Sequence, residues 1–368
     1  MKILQGMDNI ASQGFFNALG LRAIGEDATF YTLHDTKFRQ RCDCNLNIRR
    51  SNVILYPLYV VKLLVFFVSS CVKFDVFHFH FGRSILPWNL DLPILRALKK
   101  RIIMEYHGGD IRWQLLSEKG ERNLDVEPLA NKQKKKRIQR VFKYSECIIL
   151  HDSELRPFLV GYSGDVAYVP LRLDIDNFIP IYPNANKSRP VIVHAPSKRS
   201  IKGTEYIQKA IEKLKEKYEF DYCLVENMTN EEAKKVYASA DIIIDQLKVG
   251  TYGVLSVEGM ALGKPVICYI MDSIKSDFPK ELPIVSATVN NIAEKIEGLL
   301  IDGELRRKLG IAGRHYVERY HNYRYNAYLL KEIYNGNCRN ESQRESFERV
   351  CGFSKNEIVL SNLNCNKK

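Results

Sequence analysis

Two polar loops combine glycine with charged or hydroxyl side chains, and each lies between an apolar run and a helix-like stretch. The first, at residues 195–204, reads Ala-Pro-Ser-Lys-Arg-Ser-Ile-Lys-Gly-Thr and holds three cations and three hydroxyls. A helix that begins there would offer unpaired N–H groups and a favourable dipole to an anion, and arginine and lysine would add charge. This loop indicates a phosphate site or, equally well on spacing alone, a solvated basic loop capped by Thr204.

The second loop, at residues 246–254, precedes an apolar helix-like stretch that contains Glu258. Gly250 and Gly253 would let a ligand approach the backbone closely. A lone carboxylate on an apolar helix is costly unless something pairs with it. Glu258 could therefore accept hydrogen bonds from ligand hydroxyls, or it could be a partly exposed helix glutamate, which is the commoner case.

Histidines end or follow apolar runs in the first half of the chain. His78 and His80 alternate in Phe-Asp-Val-Phe-His-Phe-His, so both side chains face one side of a strand. Packing and hydrogen bonding at the strand end is the favoured interpretation of this pair. His107 begins His-Gly-Gly-Asp, in which Asp110 could cap a following helix. No Asp-x-Asp pair follows a predicted strand, so we predict no metal site.

Strands and helices must alternate to position these loops, and the sequence predicts that alternation twice. The apolar runs predict strands at residues 2–5, 28–32, 74–80, 101–106, 147–150 and 167–169. After a polar, proline-bearing linker at 181–190, further strands are predicted at 191–194, 221–225, 241–245 and 265–269. Apolar strands separated by helices predict parallel sheets covered on both faces. Ligands of such sheets bind beyond the carboxyl ends of the strands.

The second polar loop and the helix-like stretch after it carry a family resemblance. Residues 250–266, Gly-Thr-Tyr-Gly-Val-Leu-Ser-Val-Glu-Gly-Met-Ala-Leu-Gly-Lys-Pro-Val, resemble the donor-site signature of the family 4 glycosyltransferases, retaining enzymes with the GT-B fold. Residues 196–204 resemble that family's donor-diphosphate loop. Weaker similarities to its strand ends and interdomain entry lie at residues 75–80, 106–110 and 169–178.

The resemblance implies an α/β fold with two facing doubly wound, Rossmann-like domains in the GT-B architecture. It places an acceptor-binding domain at 1–180 and a nucleotide-sugar-binding domain at 181–315. A helix at 316–334 would pack back on the first domain. The tail at 335–368 would be flexible or a late helical addition.

The same resemblance implies transfer of a sugar from a nucleoside-diphosphate donor to a glycan or lipid-linked acceptor, with retention. Arg199 and Lys202 would neutralise the leaving diphosphate, Glu258 would hold the ribose hydroxyls, and His107 would contact the transferring sugar or phosphate. Further donor-binding residues would be Ser197, Gly203, Thr204, Gly250, Tyr252, Gly253 and Val254. The acceptor side would include Gly6, Asn9, Gln13, Gly108 and Asp110. Because cations and a helix end can meet the charge on the leaving group, no metal cofactor is expected.

Position 250 departs from the family pattern. The family carries two glutamates eight positions apart, and the upstream one falls on Gly250. The usual carboxylate contact to the donor sugar is therefore missing, although backbone amides or Lys248 could replace it. A nucleotide-sugar epimerase or phosphorylase on the same plan, and a non-catalytic nucleotide-sugar-binding homologue, remain alternatives.

Composition and charge narrow the setting. The 368 residues are 45% hydrophobic and 27% charged, which excludes disorder, collagen and coiled coil as the main architecture. Nine cysteines without a Cys-x-x-Cys pair indicate free thiols in a reducing compartment. We therefore expect a cytoplasmic protein, and the family resemblance implies that it acts in cell-surface polysaccharide or glycolipid synthesis.

Two segments in the first half suggest a membrane surface. Residues 1–143 carry 24 Lys and Arg against 13 Asp and Glu. Residues 53–72 are almost wholly apolar and long enough to span a bilayer, but Lys62 lies mid-span. A buried or interfacial helix is the alternative for this segment. The cationic run at 132–143 is either a solvated helix face or an anionic-lipid patch, and peripheral docking at the inner face of the plasma membrane is expected. Nucleic-acid binding is not expected.

Overall fold

The protein is seen here as a computed structural model that describes residues 1–34, 41–48, 54–112, 115–116, 122–123, 128–337 and 340–365. The chain divides into two compact units. The first unit holds the described residues up to Arg172 and those from Tyr323 onward, except the described residues within Leu115–Arg122. The second unit holds those residues together with Leu173–Asn322.

A seven-stranded sheet forms the centre of the first unit. Its strands are β1 Lys2–Met7, β2 Asp27–Thr32, β3 Cys44–Asn45, β4 Val76–His80, β5 Arg101–Glu105, β8 Cys147–Leu150 and β9 Asp165–Tyr168. The short strands β6 Leu115–Leu116 and β7 Arg122–Asn123 form a separate two-stranded ribbon. The order across the sheet is β3-β2-β1-β4-β5-β8-β9. The described pairings within it are parallel, so all carboxyl ends lie at one edge.

Helices cover both faces of this sheet. They are α1 Gln13–Ala23, α2 Tyr56–Lys73, α3 Leu92–Ala97 and α4 Pro128–Tyr144. Helix α1 connects β1 to β2 in one direction across the sheet, whereas α2, α3 and α4 make their connections in the other direction. Because such crossovers are right-handed, α1 lies on one face and the other three helices lie together on the opposite face.

The second unit has a four-stranded parallel sheet in the order β11-β10-β12-β13. Its strands are β10 Val191–His194, β11 Asp221–Leu224, β12 Ile242–Ile244 and β13 Val266–Ile267. Its helices are α5 Arg199–Lys202, α6 Thr204–Lys215, α7 Asn230–Ser239, α8 Val254–Ala261, α9 Asp272–Lys275, α10 Ile292–Ile301 and α11 Gly303–Tyr320. The apolar strands pack against α6 and α10 in one buried cluster.

The chain passes between the units at other points than the sequence predicts. It leaves the first unit after Arg172, not at 180, because the next residues bond within the second unit: the Leu173 N–H donates to the His321 carbonyl at 2.8 Å, and Arg314 donates to the Phe178 carbonyl at 2.5 Å. It returns at Tyr323, not at 316, because α11 continues to Tyr320.

The last part of the chain is helical and belongs to the first unit. Helix α12, Tyr323–Asn335, packs on α1, and helix α13, Gln343–Cys365, packs on α12. Phe347 and Val350 of α13 are buried, and Val350 joins the core cluster beneath the sheet. Of the two expectations for the tail, the structure supports the helical addition and contradicts a flexible segment over 343–355.

Candidate functional site

A buried ion pair lies at the carboxyl end of β12 in the second unit. Lys202 Nζ donates to Asp245 Oδ1 at 2.6 Å and to Gln246 Oε1 at 2.7 Å. Asp245 is fully buried, and its other oxygen accepts the Gly253 N–H at 2.9 Å and the Ser256 hydroxyl at 2.7 Å. One carboxylate thus joins the two polar loops that the sequence singled out.

Asp245 stays ionised despite its burial. Desolvation raises its pKa, but the charge of Lys202 and the hydrogen bonds to the carboxylate outweigh that effect, so the pKa of Asp245 lies below its usual value. The Lys202 side chain keeps 14% of its surface exposed. It is therefore a cation fixed at the sheet edge that still reaches solvent, as a phosphate-binding lysine needs to be.

Glu258 lies on the first turns of α8 and is only 7% exposed. Burial raises its pKa to about 7, although a hydrogen bond from Asn230 and the charge of Lys234 act in the opposite direction. The sequence left open whether Glu258 is a partly exposed helix glutamate, and the structure shows that its side chain is buried. Near pH 7 this group can either donate or accept a hydrogen bond.

The remaining residues of the first polar loop behave differently from one another. Ser197 and Arg199 are exposed, and Arg199 pairs with Glu226 at 2.6 Å. Gly203 has φ +76°, and a side chain there would contact Leu247. The Thr204 hydroxyl is buried and lies 2.9 Å from His194 Nε2, while His194 Nδ1 lies 2.9 Å from the Ile244 carbonyl. Thr204 therefore connects the loop to strand β10 through its hydrogen bond with His194.

The second polar loop is shaped by its glycines. Gly250 has φ +82°, and a Cβ there would lie 2.8 Å from Met271 Cε, so the family's glutamate would be strained at this position. Tyr252 is buried, with its hydroxyl 3.2 Å from His321 Nε2, and it packs on Phe278. The Gly253 amide is used by Asp245. Val254 begins α8, where first-turn N–H groups lack intrahelical partners.

In the first unit, four histidines cluster at the carboxyl ends of β4, β5 and β8. His107 Nε2 lies 3.1 Å from His80 Nδ1, and His107 Nδ1 lies 2.9 Å from His151 Nε2. His78 stacks on His80 with ring centroids 4.8 Å apart. The favoured interpretation of His78 and His80, packing with hydrogen bonds at the strand end, is confirmed.

One assignment of protons connects this cluster into a single chain of hydrogen bonds. With every imidazole neutral and protonated on Nε2, His151 donates to His107 and His107 donates to His80. From there the chain runs through Gln5 and the Tyr334 hydroxyl to His78 Nδ1, over 3.0, 2.7 and 2.7 Å. Burial lowers the pKa of His107 to about 3 and that of His151 to about 4, which agrees with neutral rings.

Glu105 and Arg172 form the charged centre of the cluster. Both are buried and they are hydrogen-bonded to each other. Burial raises the pKa of Glu105, but the charge of Arg172 and the neighbouring histidines together outweigh burial and hold the pKa well below its usual value. His78 Nε2 lies 3.1 Å from Glu105, although poorly aligned for a hydrogen bond.

The cluster includes two groups whose ligand atoms are close enough for a metal ion, within 4.8 Å of one another: His78, His80 and Glu105, and Glu105, His107 and His151. Two features argue against such a site. Arg172 already compensates the single carboxylate, so a divalent cation would lie beside a buried guanidinium. The imidazole nitrogens are also largely used by one another. The expectation of a metal-independent protein therefore stays a prediction.

The residues predicted for the acceptor side hold the backbone in place. Asn9 donates to the Arg41 carbonyl at 2.8 Å and Gln13 to the Arg172 carbonyl at 3.0 Å. A Cβ at Gly6 would lie 2.8 Å from the Tyr31 carbonyl, and one at Gly108, with φ +112°, would overlap Arg112. Asp110 accepts the N–H groups of residues 107 and 108, so it closes its own turn, and no helix begins at the described residues 111 and 112.

Sequence reasoning missed Asp245, Glu105, Arg172 and Tyr334. Asp245 carried a detectable signal, a single acid directly after three isoleucines at a strand end. Glu105 carried the same signal within Ile-Ile-Met-Glu-Tyr. Nothing local marks Tyr334, whose hydroxyl meets His78 across 256 residues of sequence.

Comparisons with known proteins identify the fold. Neither protein-family profiles nor curated protein sequences give a match. Among solved structures, sucrose-phosphate synthase from Thermosynechococcus elongatus aligns with a TM-score of 0.64 at 15% identity, over 91% of this chain and 99% of that chain. Anabaena HepE in complex with UDP aligns with a TM-score of 0.60 at 10% identity, over 91% and 100%.

A third similar structure has a different title. The putative UDP-N-acetylglucosamine 2-epimerase from Listeria monocytogenes aligns with a TM-score of 0.53 at 11% identity, over 92% of this chain and 99% of that chain. At such identities the likeness shows the fold alone. The predicted fold class is confirmed: an α/β protein of two Rossmann-like units with the fold of the GT-B glycosyltransferases.

Proposed function

We propose that this protein is a glycosyltransferase that moves a sugar from a nucleoside-diphosphate donor to a glycan or lipid-linked acceptor. The reaction proceeds with retention and serves cell-surface polysaccharide or glycolipid synthesis, and the protein works in the cytoplasm. Retention rests on the family 4 resemblance of residues 250–266, and the setting rests on the same resemblance together with the free cysteines.

The fixed cation at Lys202 is the observation that carries this proposal. Asp245 holds its ammonium at the carboxyl end of β12, next to the start of α8, which is where ligands of doubly wound sheets bind. A developing diphosphate charge would be met there by Lys202, the exposed Arg199 and the first amides of α8. Glu258, buried on the same helix, would receive the ribose hydroxyls. The UDP in HepE supports a uridine nucleotide as the first donor to test.

An epimerase is the second candidate, because a structure with that title shares the fold. An epimerase interconverts the donor sugar without an acceptor, and a phosphorylase needs phosphate as co-substrate. A non-catalytic homologue would bind nucleotide and leave the sugar unchanged.

The first experiment is thermal unfolding with UDP, GDP, ADP, CMP and their common sugar conjugates. A ligand at about 100 times its dissociation constant adds roughly 2.7 kcal/mol of stability, which shifts the unfolding temperature by several degrees. A shift with one nucleotide identifies the base. The matching sugar conjugates are then incubated with and without glycan acceptors, and NMR of the product reports its anomeric configuration. A well-folded sample that responds to no nucleotide contradicts the proposal.

Metal independence is tested in the same assay. Because cations and helix amides are proposed to meet the leaving-group charge, chelation with EDTA is expected to leave turnover unchanged. Loss of turnover that Mg²⁺ or Mn²⁺ restores would contradict this part of the proposal.

A further inference from the structure

Helix α2 exposes an apolar stripe that no other described residue of the first unit covers. Only Leu63, Phe67 and Ser70 are buried along its 18 residues. The exposed apolar side chains recur at helical spacing on the outer side, at Leu58, Val61, Leu64, Val65, Val68 and Val72, with 44% to 87% of their surface exposed. A contiguous apolar patch of this kind marks an interaction surface.

Helix α2 is long and apolar enough to cross a membrane, but its surroundings show that it lies along the sheet. It connects β3 to β4, two strands of one parallel sheet, so both of its ends stay on the same body. Its inner side packs on that sheet, with the Phe66 and Tyr31 rings 4.9 Å apart. Lys62 donates to the Leu46 carbonyl at 2.6 Å. Val53, the first residue of the predicted segment, lies outside the described residues.

A second exposed apolar group lies in the loop before α3. Trp88 is 73% exposed and Leu90 is 49% exposed. The Trp88 backbone is left-handed, with φ +54°, which is strained for a large side chain. Buried hydrogen bonds keep it there: Asp91 accepts the Ile85 N–H at 3.0 Å, and Asn89 donates to the Gly82 carbonyl at 3.1 Å. The fold thus holds a tryptophan out in solvent.

A cationic pocket adjoins Trp88. Its volume is about 780 Å³, and it is lined by Trp88, Leu90, Gly109, Lys134, Lys136, Arg137 and Arg140. Within the described residues none of its four cations forms an ion pair with a carboxylate. Arg137 Nε is buried and has no hydrogen-bond partner there. Desolvation, together with the charge of Arg83, lowers the pKa of Arg137. Uncompensated cations of this kind favour an anionic ligand. The side chain of Lys132 lies outside the described residues.

The apolar stripe and the cationic pocket belong to one side of the first unit, since α2, α3 and α4 all lie on the same face of its sheet. We propose that this face docks on the surface of an anionic lipid bilayer. The α2 stripe and Trp88 insert at the level of the headgroups, and Lys136, Arg137 and Arg140 bind lipid phosphate. Apolar side chains, an exposed tryptophan and cations on one face match the chemistry of an interfacial membrane anchor. The proposal does not depend on the transfer reaction.

Vesicle sedimentation tests the proposal with the full-length protein. We expect it to sediment with vesicles that contain a third of phosphatidylglycerol and to stay in solution with phosphatidylcholine alone. Val65→Glu should weaken binding roughly tenfold or more, because it places a charge within the inserted stripe. Lys136→Gln with Arg140→Gln should do the same through lost phosphate contacts. Added salt screens the attraction between cations and lipid, so it should weaken the remaining binding of Val65→Glu more than that of the Lys136→Gln, Arg140→Gln variant.

Matched controls are available in the second unit. Ile301 on α10 is 67% exposed, close to the 65% of Val65, so Ile301→Glu should bind like wild type. The exposed Lys209 and Lys213 of α6, changed together to Gln, control for the loss of two charges. Circular dichroism and the unfolding temperature establish that each variant is folded, and Trp88→Ser provides a second apolar variant.

Three outcomes overturn the proposal. One is no sedimentation with phosphatidylglycerol vesicles at low salt. Another is equal weakening by the control variants, which would indicate unspecific charge attraction. The third is full competition by inorganic diphosphate with no effect of Val65→Glu, which would make the pocket a site for a soluble anion.

Discussion

Lys202 and Asp245 form an ion pair in which the fully buried Asp245 depends on the lysine to compensate its charge. Asp245 is fully buried and has no other cation within ion-pair distance among the described residues. Lys202→Ala should therefore lower the free energy of unfolding by about 3–5 kcal/mol, as removal of one partner of a buried pair does. Urea denaturation measures this change.

A double variant separates that effect from nucleotide binding. Adding Asp245→Asn to Lys202→Ala removes both charges, so most of the lost stability should return while nucleotide binding stays absent. If the double variant is as unstable as the single one, the pair is not what holds the two loops together. If Lys202→Ala alone binds nucleotide with wild-type affinity, the lysine has no part in the site.

Glu258 should make stability depend on pH. Burial raises the pKa of Glu258 in the folded state to about 7, above its usual value of 4.5, so between these values the folded state binds the proton more tightly than the unfolded state. The contribution is fully present below pH 4.5 and is lost as the pH rises through 7, a fall of about 3 kcal/mol. Between pH 4.5 and 8, the unfolding free energy of wild type should fall by this amount more than that of Glu258→Gln.

Other groups titrate in the same range, so the difference between the two proteins is the informative quantity. Parallel curves for wild type and Glu258→Gln would mean that the carboxyl ionises freely and is accessible to solvent. A wild-type curve that rises relative to the variant would mean that a cation pairs with Glu258.

Single residues show where sequence reasoning ends. The sequence singled out Lys202 from a basic loop before a helix and Glu258 from a lone carboxylate on an apolar helix, and the structure shows Lys202 held by Asp245 and Glu258 buried on α8. It could not show that Gln13 is bonded to the backbone of Arg172, or that Tyr252 is buried against His321. Such partners lie far away in the chain, and their side-chain chemistry is equally suited to solvent or ligand.

At the scale of elements, the contact between α1 and α12 joins the last part of the chain to the first. Gly20 allows it, because a Cβ there would lie 2.6 Å from the Tyr323 carbonyl and 2.9 Å from Ala327 Cβ. Gly20→Ala should therefore lower the free energy of unfolding by roughly 1–3 kcal/mol, as overpacking does. This loss would occur although alanine is the better helix former.

Gly298 in α10 is the matched control, since no atom lies within 4 Å of the Cβ that alanine would add. Gly298→Ala should raise the free energy of unfolding by about 0.5–1 kcal/mol through helix propensity alone. Chemical denaturation of both variants gives the comparison. A stabilising Gly20→Ala would show that α12 does not pack closely on α1.

Elements were predictable where their pattern is local. The strands at 147–150 and 191–194 match their predicted bounds, since short apolar runs between polar turns leave few alternatives. Strand β3, Cys44–Asn45, has no apolar signal and depends on pairing with β2. Helix α13 lacks a sustained apolar period, and its contacts with α12 and β9 show why it forms.

At the scale of the whole molecule, the two units differ in net charge. The basic surplus of residues 1–143 falls within the first unit, which also bears the cationic pocket beside Trp88. The second unit holds the fixed cation at the candidate phosphate site. The sequence alone predicted that the basic surplus lies in the first half of the chain. It did not predict that residues from the end of the chain would complete the first unit.

Because the first unit is completed by the end of the chain, we predict two unfolding transitions, one for each unit. Deletion of the end of the chain should affect the first transition, and a bound nucleotide should affect the second. Deletion of residues 336–368 removes the buried Phe347 and Val350, together with the hydrogen bond that Gln343 accepts from the Ser153 N–H at 2.6 Å. Burial of two such side chains is worth roughly 3–6 kcal/mol, so the transition of the first unit should move down by many degrees. A bound nucleotide should move only the transition of the second unit upward.

Calorimetry of the wild-type and shortened proteins, with and without UDP, measures both shifts. Gly20→Ala marks the transition of the first unit, and Lys202→Ala marks that of the second. If the deletion lowers both transitions equally, the two units unfold as one cooperative body. If UDP moves the transition marked by Gly20→Ala, the nucleotide binds outside the second unit, and the site at Lys202 must be abandoned.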